Sequence, residues 1–256
     1  MALYCAEQEQ LNYRDRIYQR YASVCKEQGS VFDVAGARKY ASAFSHYLNG
    51  WLPAHRNARI LDLACGSGRT LFLLKQEGYT DISGVDISPE QVALASQVTP
   101  DVFQGNGLDF LADKSRRYEL IIAQDIIEHL NKDELFAMLD ACHNALTAEG
   151  RLILSTPNAE SPMFGCRRYG DLTHESCFTA SSLAHALAIC GFEEVAAREI
   201  CPYFHGCASG ARVLLWWILR RLVMFYNMIE IGHAGSGICS RDFLMSAVKP
   251  STAKGA

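Results

Sequence analysis

Residues 59–71, with the sequence RILDLACGSGRTL, constrain the fold more than any other part of the chain. The apolar stretch 60–64 runs into a turn that contains Gly66 and Gly68, and helix-forming residues follow at 69–76. Because glycine has no Cβ, the backbone can turn sharply there and approach a ligand closely. A strand, a tight glycine turn and a helix form the opening unit of a nucleotide-binding α/β sheet.

The glycine spacing differs from the dinucleotide-binding fingerprint. Leu71 stands where the fingerprint requires a third glycine, and Asp62 lies inside the end of the apolar stretch. A second carboxylate, Asp86, ends the next apolar stretch, where it can accept hydrogen bonds from both hydroxyls of a ribose. Ser88 and Pro89 then form the pattern of a helix N-cap followed by proline at the first helical position. This pattern predicts that the second strand also leads into a helix.

The pattern D-x-x-x-G-x-G at 62–68 and the block GVDISPEQV at 84–92 resemble the first motifs of the class I S-adenosylmethionine (SAM)-dependent methyltransferases. Residues 118–130 and 146–158 are similar to the small-molecule branch of that family, which includes ubiquinone-pathway O-methyltransferases. The resemblance covers residues 57–200 well and the last strand weakly. It implies an α/β fold: a Rossmann-like, seven-stranded mixed sheet of order 3-2-1-4-5-7-6 with helices on both faces. A generic Rossmann-like domain that binds NAD, or binds nothing, is the alternative.

The resemblance also implies where SAM, and its product S-adenosyl-L-homocysteine, would bind. Asp62 and the glycine turn would shape the methionine site, and Asp86 the ribose site. Many relatives carry an acidic residue at the position of Asn106, whose carbonyl oxygen can accept the same bond from the adenine amino group. The backbone amide of Gly107 or Leu108 could donate to an adenine ring nitrogen. The predicted cofactor-binding residues are Asp62, Ala64, Gly66, Gly68, Asp86, Ile87, Asn106, Gly107, Leu108, Gln124, Asp125 and His129.

Residues 158–179 leave the fifth strand at the ligand-binding edge and are predicted to line the substrate pocket. Methyl transfer from a sulfonium places the acceptor atom about 3 Å from the methyl carbon and requires removal of the acceptor proton. His174 is the predicted base because histidine titrates near neutral pH, with Asp171 or Glu175 to orient it. The alternative is that His174 anchors its loop to the helix that begins near Ala180. The resemblance implies Thr179 as the N-cap of that helix, and Gly191 is its predicted C-cap. The predicted substrate-binding residues are Asn158, Tyr169, His174 and Tyr203.

Composition narrows the class of protein. The 256 residues are 49% hydrophobic and 20% charged, which suits one α/β domain with additions, and the net charge of −4 gives no electrostatic case for nucleic acid. Ten cysteines without a CxxC pair favour reduced thiols in the cytoplasm. No metal site is predicted, because Cys166, His174 and Cys177 lack a second pair of ligands.

Two regions lie outside the resemblance. Residues 1–55 are predicted to form a helical cap ahead of a core at 56–256. One helix of this cap is predicted to span 36–52. Its lid candidates, for which packing against the sheet is the alternative role, are Tyr13, Tyr18, Tyr21 and Arg38.

A helical insertion is predicted at about 201–240, before the last strand. Arg220 and Arg221 interrupt its apolar run, 213–226, and each half is too short to span a bilayer. The favoured interpretation is a buried helix that walls the pocket or forms a homodimer interface. The other is an interfacial helix with Arg212, Arg220 and Arg221 near lipid headgroups, which would place a cytoplasmic protein at the inner membrane.

The predicted function is methyl transfer from SAM to an oxygen of a small or lipid-linked acceptor, with a sugar hydroxyl preferred. The block THESCFT at 173–179 and the aromatic insertion look similar to methyltransferases of bacterial surface-polysaccharide and glycolipid pathways. One alternative is O- or N-methylation of a quinone, a phenol or another small metabolite. Another is a SAM-binding interaction module without catalysis.

Overall fold

The structure is a computed structural model that describes residues 13–25 and 29–251. The first twelve residues of the predicted cap, and residues 26–28, lie outside the described residues. The helices are α1 Tyr13–Tyr18, α2 Val34–Lys39, α3 Ala41–Leu48, α4 Arg69–Gln76, α5 Pro89–Ala95, α6 Gly107–Leu111, α7 Lys132–Ala145, α8 Phe164–Arg168, α9 Ala180–Ile189 and α10 Cys207–Ile231. The strands are β1 Ile60–Leu63, β2 Ile82–Asp86, β3 Val102–Gln104, β4 Tyr118–Gln124, β5 Leu146–Pro157, β6 Glu193–Glu199 and β7 Asp242–Val248.

The strands form one mixed sheet with the order β3-β2-β1-β4-β5-β7-β6, which confirms the predicted order. Strand β7 runs antiparallel to both of its neighbours, whereas β1 to β5 pair in parallel. The carboxyl ends of β1, β2, β4 and β5 therefore meet at one edge of the sheet, where ligands bind in folds of this class.

The core lies on both faces of the sheet because successive side chains of a strand point to opposite sides. In β1, Ile60 packs into a cluster with side chains of α3 and α4, while Leu61 and Leu63 pack into a cluster with α7 and α9. All four residues of this strand are buried, as expected for a parallel strand covered on both faces. This burial fixes the strand end from which the glycine turn emerges.

Predicted helix ends agree with the structure where they depend on local capping. The Ser88 hydroxyl accepts from the Gln91 N–H at the start of α5. Thr179 caps α9 and forms a reciprocal capping box with Ser182. Gly191 follows the end of α9 with a φ of +84°, a conformation that glycine adopts without strain.

The continuous helix predicted at 36–52 is wrong, because the chain forms α2 and α3 instead. The Asp33 side chain caps α2 by accepting from the Gly36 N–H, and the Tyr40 N–H closes a tight turn onto the Ala37 carbonyl. The buried face of α3 agrees with the apolar pattern, since Phe44 and Leu48 lie in the core.

The insertion forms α10, a helix of 25 residues that extends beyond the apolar run at both ends. The prediction that this helix is buried in the protein's own core, which was part of the favoured interpretation, is wrong. Ser209 is buried, but most of the large apolar side chains of α10 are exposed. Among the described residues, no helix is both long and apolar enough to cross a membrane.

Candidate cofactor site and active site

A cleft of about 800 Å³ opens at the carboxyl edge of the sheet. Its volume suits a nucleotide-sized ligand, since small-molecule sites usually enclose roughly 300–1,000 Å³. Every predicted cofactor-binding residue except Gly68 lines this cleft. His174 and Asp171 line it as well, so the structure brings the two predicted groups of residues together.

The turn after β1 depends on left-handed backbone conformations. Gly66 and Gly68 have φ values of +53° and +87°, and Ala64 also has a positive φ, +59°. A Cβ added at Gly68 would lie 2.9 Å from the Cα of Ala95 in α5. Gly68 therefore lets α4 and α5 pack closely behind the turn, which explains its position outside the cleft.

Two acidic side chains stand below this turn. The Asp86 carboxylate accepts from the Gly66 N–H and from the Ser88 N–H, both at 2.8 Å, and so joins the ends of β1 and β2. Burial raises the pKa of Asp86. Asp62 is 2% exposed, and its Oδ2 has no hydrogen-bond partner among the described residues. Burial, and then repulsion from Asp86, raise the pKa of Asp62 well above its usual range.

An unpaired buried carboxylate is costly unless a ligand completes its hydrogen bonds. The orphaned Asp62 oxygen lines the cleft, as does Gln91, whose buried Oε1 also lacks a partner among the described residues. Both are acceptors, so the region beside the glycine turn fits a cationic, hydrogen-donating group such as an α-ammonium. This fits the amino-acid tail of SAM.

The predicted adenine contacts bond to each other in this structure. The Asn106 Oδ1 caps α6 by accepting from the Leu108 N–H at 2.8 Å. The Leu108 amide therefore does not offer the unused donor that the sequence suggested. The Asn106 oxygen retains a second lone pair, so the cap leaves it able to accept from an adenine amino group.

The end of β4 forms the floor of the cleft. Gln124 accepts from the Thr70 hydroxyl at 3.1 Å, which ties β4 to α4. Asp125 has a φ of +51°, which is uncommon for a residue other than glycine, and it accepts from the Ser155 hydroxyl at 2.9 Å. These bonds place both side chains at the carboxyl edge.

His174 is anchored through one ring nitrogen. Its Nδ1 lies 2.9 Å from the Arg167 carbonyl oxygen, which can only accept, so Nδ1 carries the hydrogen. The lone pair of the neutral ring is then on Nε2. Burial lowers the pKa of His174, which keeps the ring neutral at neutral pH. The His129 ring packs edge-on against it, with the ring centroids 4.7 Å apart.

The predicted partners of His174 have other contacts. Asp171 accepts from the Thr173 hydroxyl at 2.6 Å, and that hydroxyl lies 2.7 Å from the His129 Nδ1. Because the hydroxyl has a single hydrogen, the His129 Nδ1–H donates to it. Asp171 therefore orients His129 through Thr173, which corrects the prediction that it orients His174. Glu175 does not orient His174 either, since its carboxylate bonds to Tyr13 and Arg14.

Burial keeps the two imidazoles of this hydrogen-bonded group neutral, although the nearby charge of Asp171 by itself raises the pKa of both histidines. Burial raises the pKa of Asp171, but the hydrogen bonds from Thr173 outweigh burial and bring the pKa down to about 2. Burial lowers the pKa of His129 to about 4. An ionised Asp171 and a neutral His129 leave the His129 Nε2 able to accept a proton.

Glu128 is a site residue that the sequence reasoning missed. It is buried, its Oε2 accepts from the Thr156 hydroxyl at 3.2 Å, and its Oε1 has no partner among the described residues. Burial raises the pKa of Glu128 to about 8. Ligand atoms of Glu128, His129 and His174 lie within 4.8 Å of one another, a spacing that could hold a metal ion. In the sequence, Glu128 could have been recognised as a site residue from its position beside His129 in the 118–130 motif.

The N-terminal helix crosses one side of the cleft. Arg14, which the sequence reasoning missed, forms ion pairs with Glu134 at 2.7 Å and with Glu175 at 3.1 Å. Tyr18 and Tyr21 line the cleft, and the Tyr21 hydroxyl donates to Asp171 at 2.8 Å. The other lid candidates lie apart from the cleft: they are Tyr13, which bonds to Glu175, and the exposed Arg38.

Three predicted substrate-binding residues do not line the cleft. Asn158 is buried, and its amide donates to the carbonyls of Ile238 and Ser240 at 2.9 Å, so it holds the loop before β7. Tyr169 is 78% exposed on the surface. Tyr203 lines a separate cavity of about 270 Å³. Each follows a strand end in sequence, but the chain carries it past the cleft.

A family model described as a methyltransferase domain matches residues 15–197, which is more than half of the chain. The chain belongs to this methyltransferase family. The ubiquinone biosynthesis O-methyltransferase of Xylella fastidiosa strain 9a5c is 27% identical over 157 residues, 57% of this chain and 61% of the relative. The enzyme of the same name from Azorhizobium caulinodans is 31% identical over 109 residues, 40% of this chain and 42% of the relative. The methyltransferase thus spans about half the length of the curated relatives it matches.

Solved structures share the fold of this class I methyltransferase. A SAM-dependent methyltransferase from Archaeoglobus fulgidus superposes with a TM-score of 0.60 at 18% identity, covering 93% of this chain and all of the other. Magnesium protoporphyrin IX methyltransferase from Synechocystis PCC 6803, solved with bound SAM, gives a TM-score of 0.56 at 17% identity, covering 93% and 98%. SAM is the cofactor of the family, and the cleft has the acceptors to hold it.

Proposed function

We propose that this methyltransferase transfers the methyl group of SAM to a hydroxyl oxygen of a small or lipid-linked acceptor. The observation that carries the proposal is the pair of histidines in the cleft, His129 and His174, whose Nδ1 atoms are engaged in hydrogen bonds, so that the lone pair of each neutral ring is on Nε2. A neutral imidazole can remove the hydroxyl proton while the oxygen attacks the methyl carbon. SAM leaves as S-adenosyl-L-homocysteine.

In this mechanism His174 is the general base, as the sequence predicted. Asp171 is a positioning residue, because it reaches the reaction through Thr173 and His129. Alignment of the acceptor oxygen with the methyl group supplies much of the rate, since displacement at a sulfonium needs an in-line approach.

The cofactor contacts are part of the proposal. Asp62 would accept from the methionine ammonium of SAM and Asp86 from the ribose hydroxyls. Asn106 would accept from the adenine amino group through its second lone pair. Residues 1–55 would act as a cap, in which Arg14 fixes α1 over the cleft through its two ion pairs.

Two acceptor classes follow from different observations. The sequence similarity to glycan-associated enzymes favours a sugar hydroxyl. The names of the curated relatives favour a ring hydroxyl of a quinone precursor instead. Tyr18 and Tyr21 at the side of the cleft add aromatic surface that would suit a ring.

Methyl-labelled SAM, incubated with the purified protein and a cell lysate, tests the function. We expect label in a product that is stable to acid, as an ether is. Label in the lipid or polysaccharide fraction would support the sugar or lipid-linked acceptor, and label in small soluble phenols would support the quinone-type acceptor. Tight SAM binding without any label transfer would contradict the enzymatic proposal.

A further inference from the structure

The outer face of α10 is a continuous apolar surface. Eleven of its large apolar side chains are 43–70% exposed. Their spacing of three and four residues aligns one row along the helix. The row contains Leu214, Ile218, Leu222, Phe225 and Ile229.

The inner face of α10 holds the helix on the domain. Arg220 donates to the Gly237 carbonyl at 2.8 Å and lies 3.5 Å from the Glu199 carboxylate. The buried Ser209 lies on the same side of the helix as Arg220. The apolar row lies on the opposite side and therefore faces outward.

The exposed surface is large for a folded protein. Eleven half-exposed apolar side chains present on the order of 1,000 Å², against roughly 300–600 Å² for the largest patch of a typical monomer. Patches of this size indicate an interaction surface.

Two arginines and two aromatic residues of α10 border the row. At about 100° per residue, Trp217 and Arg221 lie on one flank, and Arg212 and Tyr226 lie on the other. The Arg221 guanidinium lies 5.2 Å from the Trp217 ring centroid. The one acidic residue of α10, Glu230, stands near the end of the helix and bonds to Tyr226. An aliphatic centre with aromatic and cationic borders matches a lipid leaflet, where acyl chains lie below anionic headgroups.

We propose that α10 docks this methyltransferase on an anionic membrane surface. The helix would lie in the plane of the membrane, with the Ile218 and Phe225 row about 5–10 Å into the boundary between headgroups and acyl chains. Arg212 and Arg221 would bind lipid phosphates on either side.

The charges favour a membrane over a second copy of the chain. In a two-fold pairing centred on Arg221, Arg221 would meet Arg221 of the other copy. The one carboxylate of α10, Glu230, lies nine residues away near the end of the helix, too far to pair with either of them. Like charges at the centre of an interface oppose association. Lipid phosphates remove this repulsion.

Docking would also place the cleft beside the membrane. Helix α10 follows the carboxyl end of β6, and the segment after it leads to Asp242, which pairs at 2.7 Å with Arg167 in the cleft wall. A lipid-linked acceptor could then reach the cleft from the leaflet. This consequence rests on the proposed function, whereas the docking does not.

Flotation of the full chain with vesicles tests the docking. We expect binding to vesicles of phosphatidylcholine with phosphatidylglycerol, and weak binding to phosphatidylcholine alone. The double variant Ile218→Glu, Phe225→Glu should lose at least about tenfold in binding, since two buried apolar side chains become charged. The control Ile189→Glu changes an exposed aliphatic side chain of α9 and should bind as the parent does.

A second pair of variants tests the cationic borders. Arg212→Glu with Arg221→Glu should lower binding to the anionic vesicles, whereas Arg117→Glu, on an exposed arginine away from α10, should not. Absence of vesicle binding, or binding unchanged by the α10 variants, would overturn the proposal. So would a dimer in light scattering that the Ile218 and Phe225 variant dissociates without any vesicle binding. SAM affinity, measured by calorimetry, should be retained in all variants, which separates failure of docking from failure of methyl transfer.

Discussion

At the scale of single residues, hydrogen-bond partners assign the roles in the active site. His174 and His129 both use Nδ1 as a donor, to the Arg167 carbonyl and to the Thr173 hydroxyl respectively. The sequence predicted His174 in the cleft but paired it with Asp171. Which atoms meet depends on how the loop folds between residues 167 and 174, and the residue types alone do not determine this.

Asparagine substitutions of His174 and His129 can show whether each histidine acts as the general base or only anchors its loop. In His174→Asn the side-chain amide can replace the Nδ1–H donor to Arg167, but nothing replaces the Nε2 lone pair. We expect kcat to fall about 10²–10⁴-fold, with the Kd of SAM nearly unchanged. His129→Asn is the matched control, because its amide can likewise donate to Thr173. A loss of kcat confined to His129→Asn would make His129 the base, and full activity of His174→Asn would leave His174 as an anchor.

Replacing Asp62 should stabilise the ligand-free protein and weaken the binding of SAM. Asp62→Asn removes an unpaired buried carboxylate, so the free energy of unfolding without ligand should rise. The same change removes the partner of the SAM ammonium, so the Kd of SAM should increase about 10–100-fold. Thermal unfolding with and without SAM, together with calorimetry, measures both effects. Lower stability with unchanged SAM affinity would contradict the assigned role.

At the scale of elements, helix ends were predicted well and helix continuity less well. Caps such as Ser88 and Thr179 act within four residues, so the local sequence contains most of the information. The break between α2 and α3 at Tyr40 carries no proline or glycine signal at the break itself. The Tyr40 ring, which is half exposed, contacts α4 there, since the Arg69 guanidinium lies 4.5 Å from the ring centroid.

The cap of α9 provides a test at this scale. Thr179→Ala removes the acceptor for the Ser182 N–H and should lower the free energy of unfolding by about 1 kcal/mol. Thr179→Ser keeps the hydroxyl and should lie close to the parent protein. Denaturant unfolding of the three proteins measures the difference. Equal losses in the alanine and serine variants would show that the methyl group, and not the cap, stabilises the helix.

At the scale of the whole molecule, stability should depend on pH through the buried site. The pKa of Glu128 is about 8 in the folded protein against an ordinary value of 4.5, so the folded state binds more protons between these values. The free energy of unfolding should therefore fall as pH rises through this window. The pKa of His129 is about 4 against 6.5, so its contribution is lost as pH falls through that window.

Glu128→Gln isolates the alkaline effect, because glutamine has nearly the same shape and does not titrate. Relative to the parent, the variant should gain stability as pH rises from about 5 to about 8, and little further above pH 8. Denaturant unfolding across this range measures the difference. If the free energies of unfolding of the parent and the variant changed with pH in parallel, Glu128 would not titrate as its burial requires.

The sequence by itself determined the position of the cofactor turn, and the resemblance carried by its motifs implied the sheet order. The turn follows from short-range geometry, such as the left-handed conformation at Gly66 and the carboxylate of Asp86 that closes on it. Only the tertiary structure decided that Asn158 holds a loop, that Asp171 serves His129, and that α10 faces outward. Those outcomes depend on contacts between residues far apart in the chain, where each side chain takes the partner that packing brings within reach.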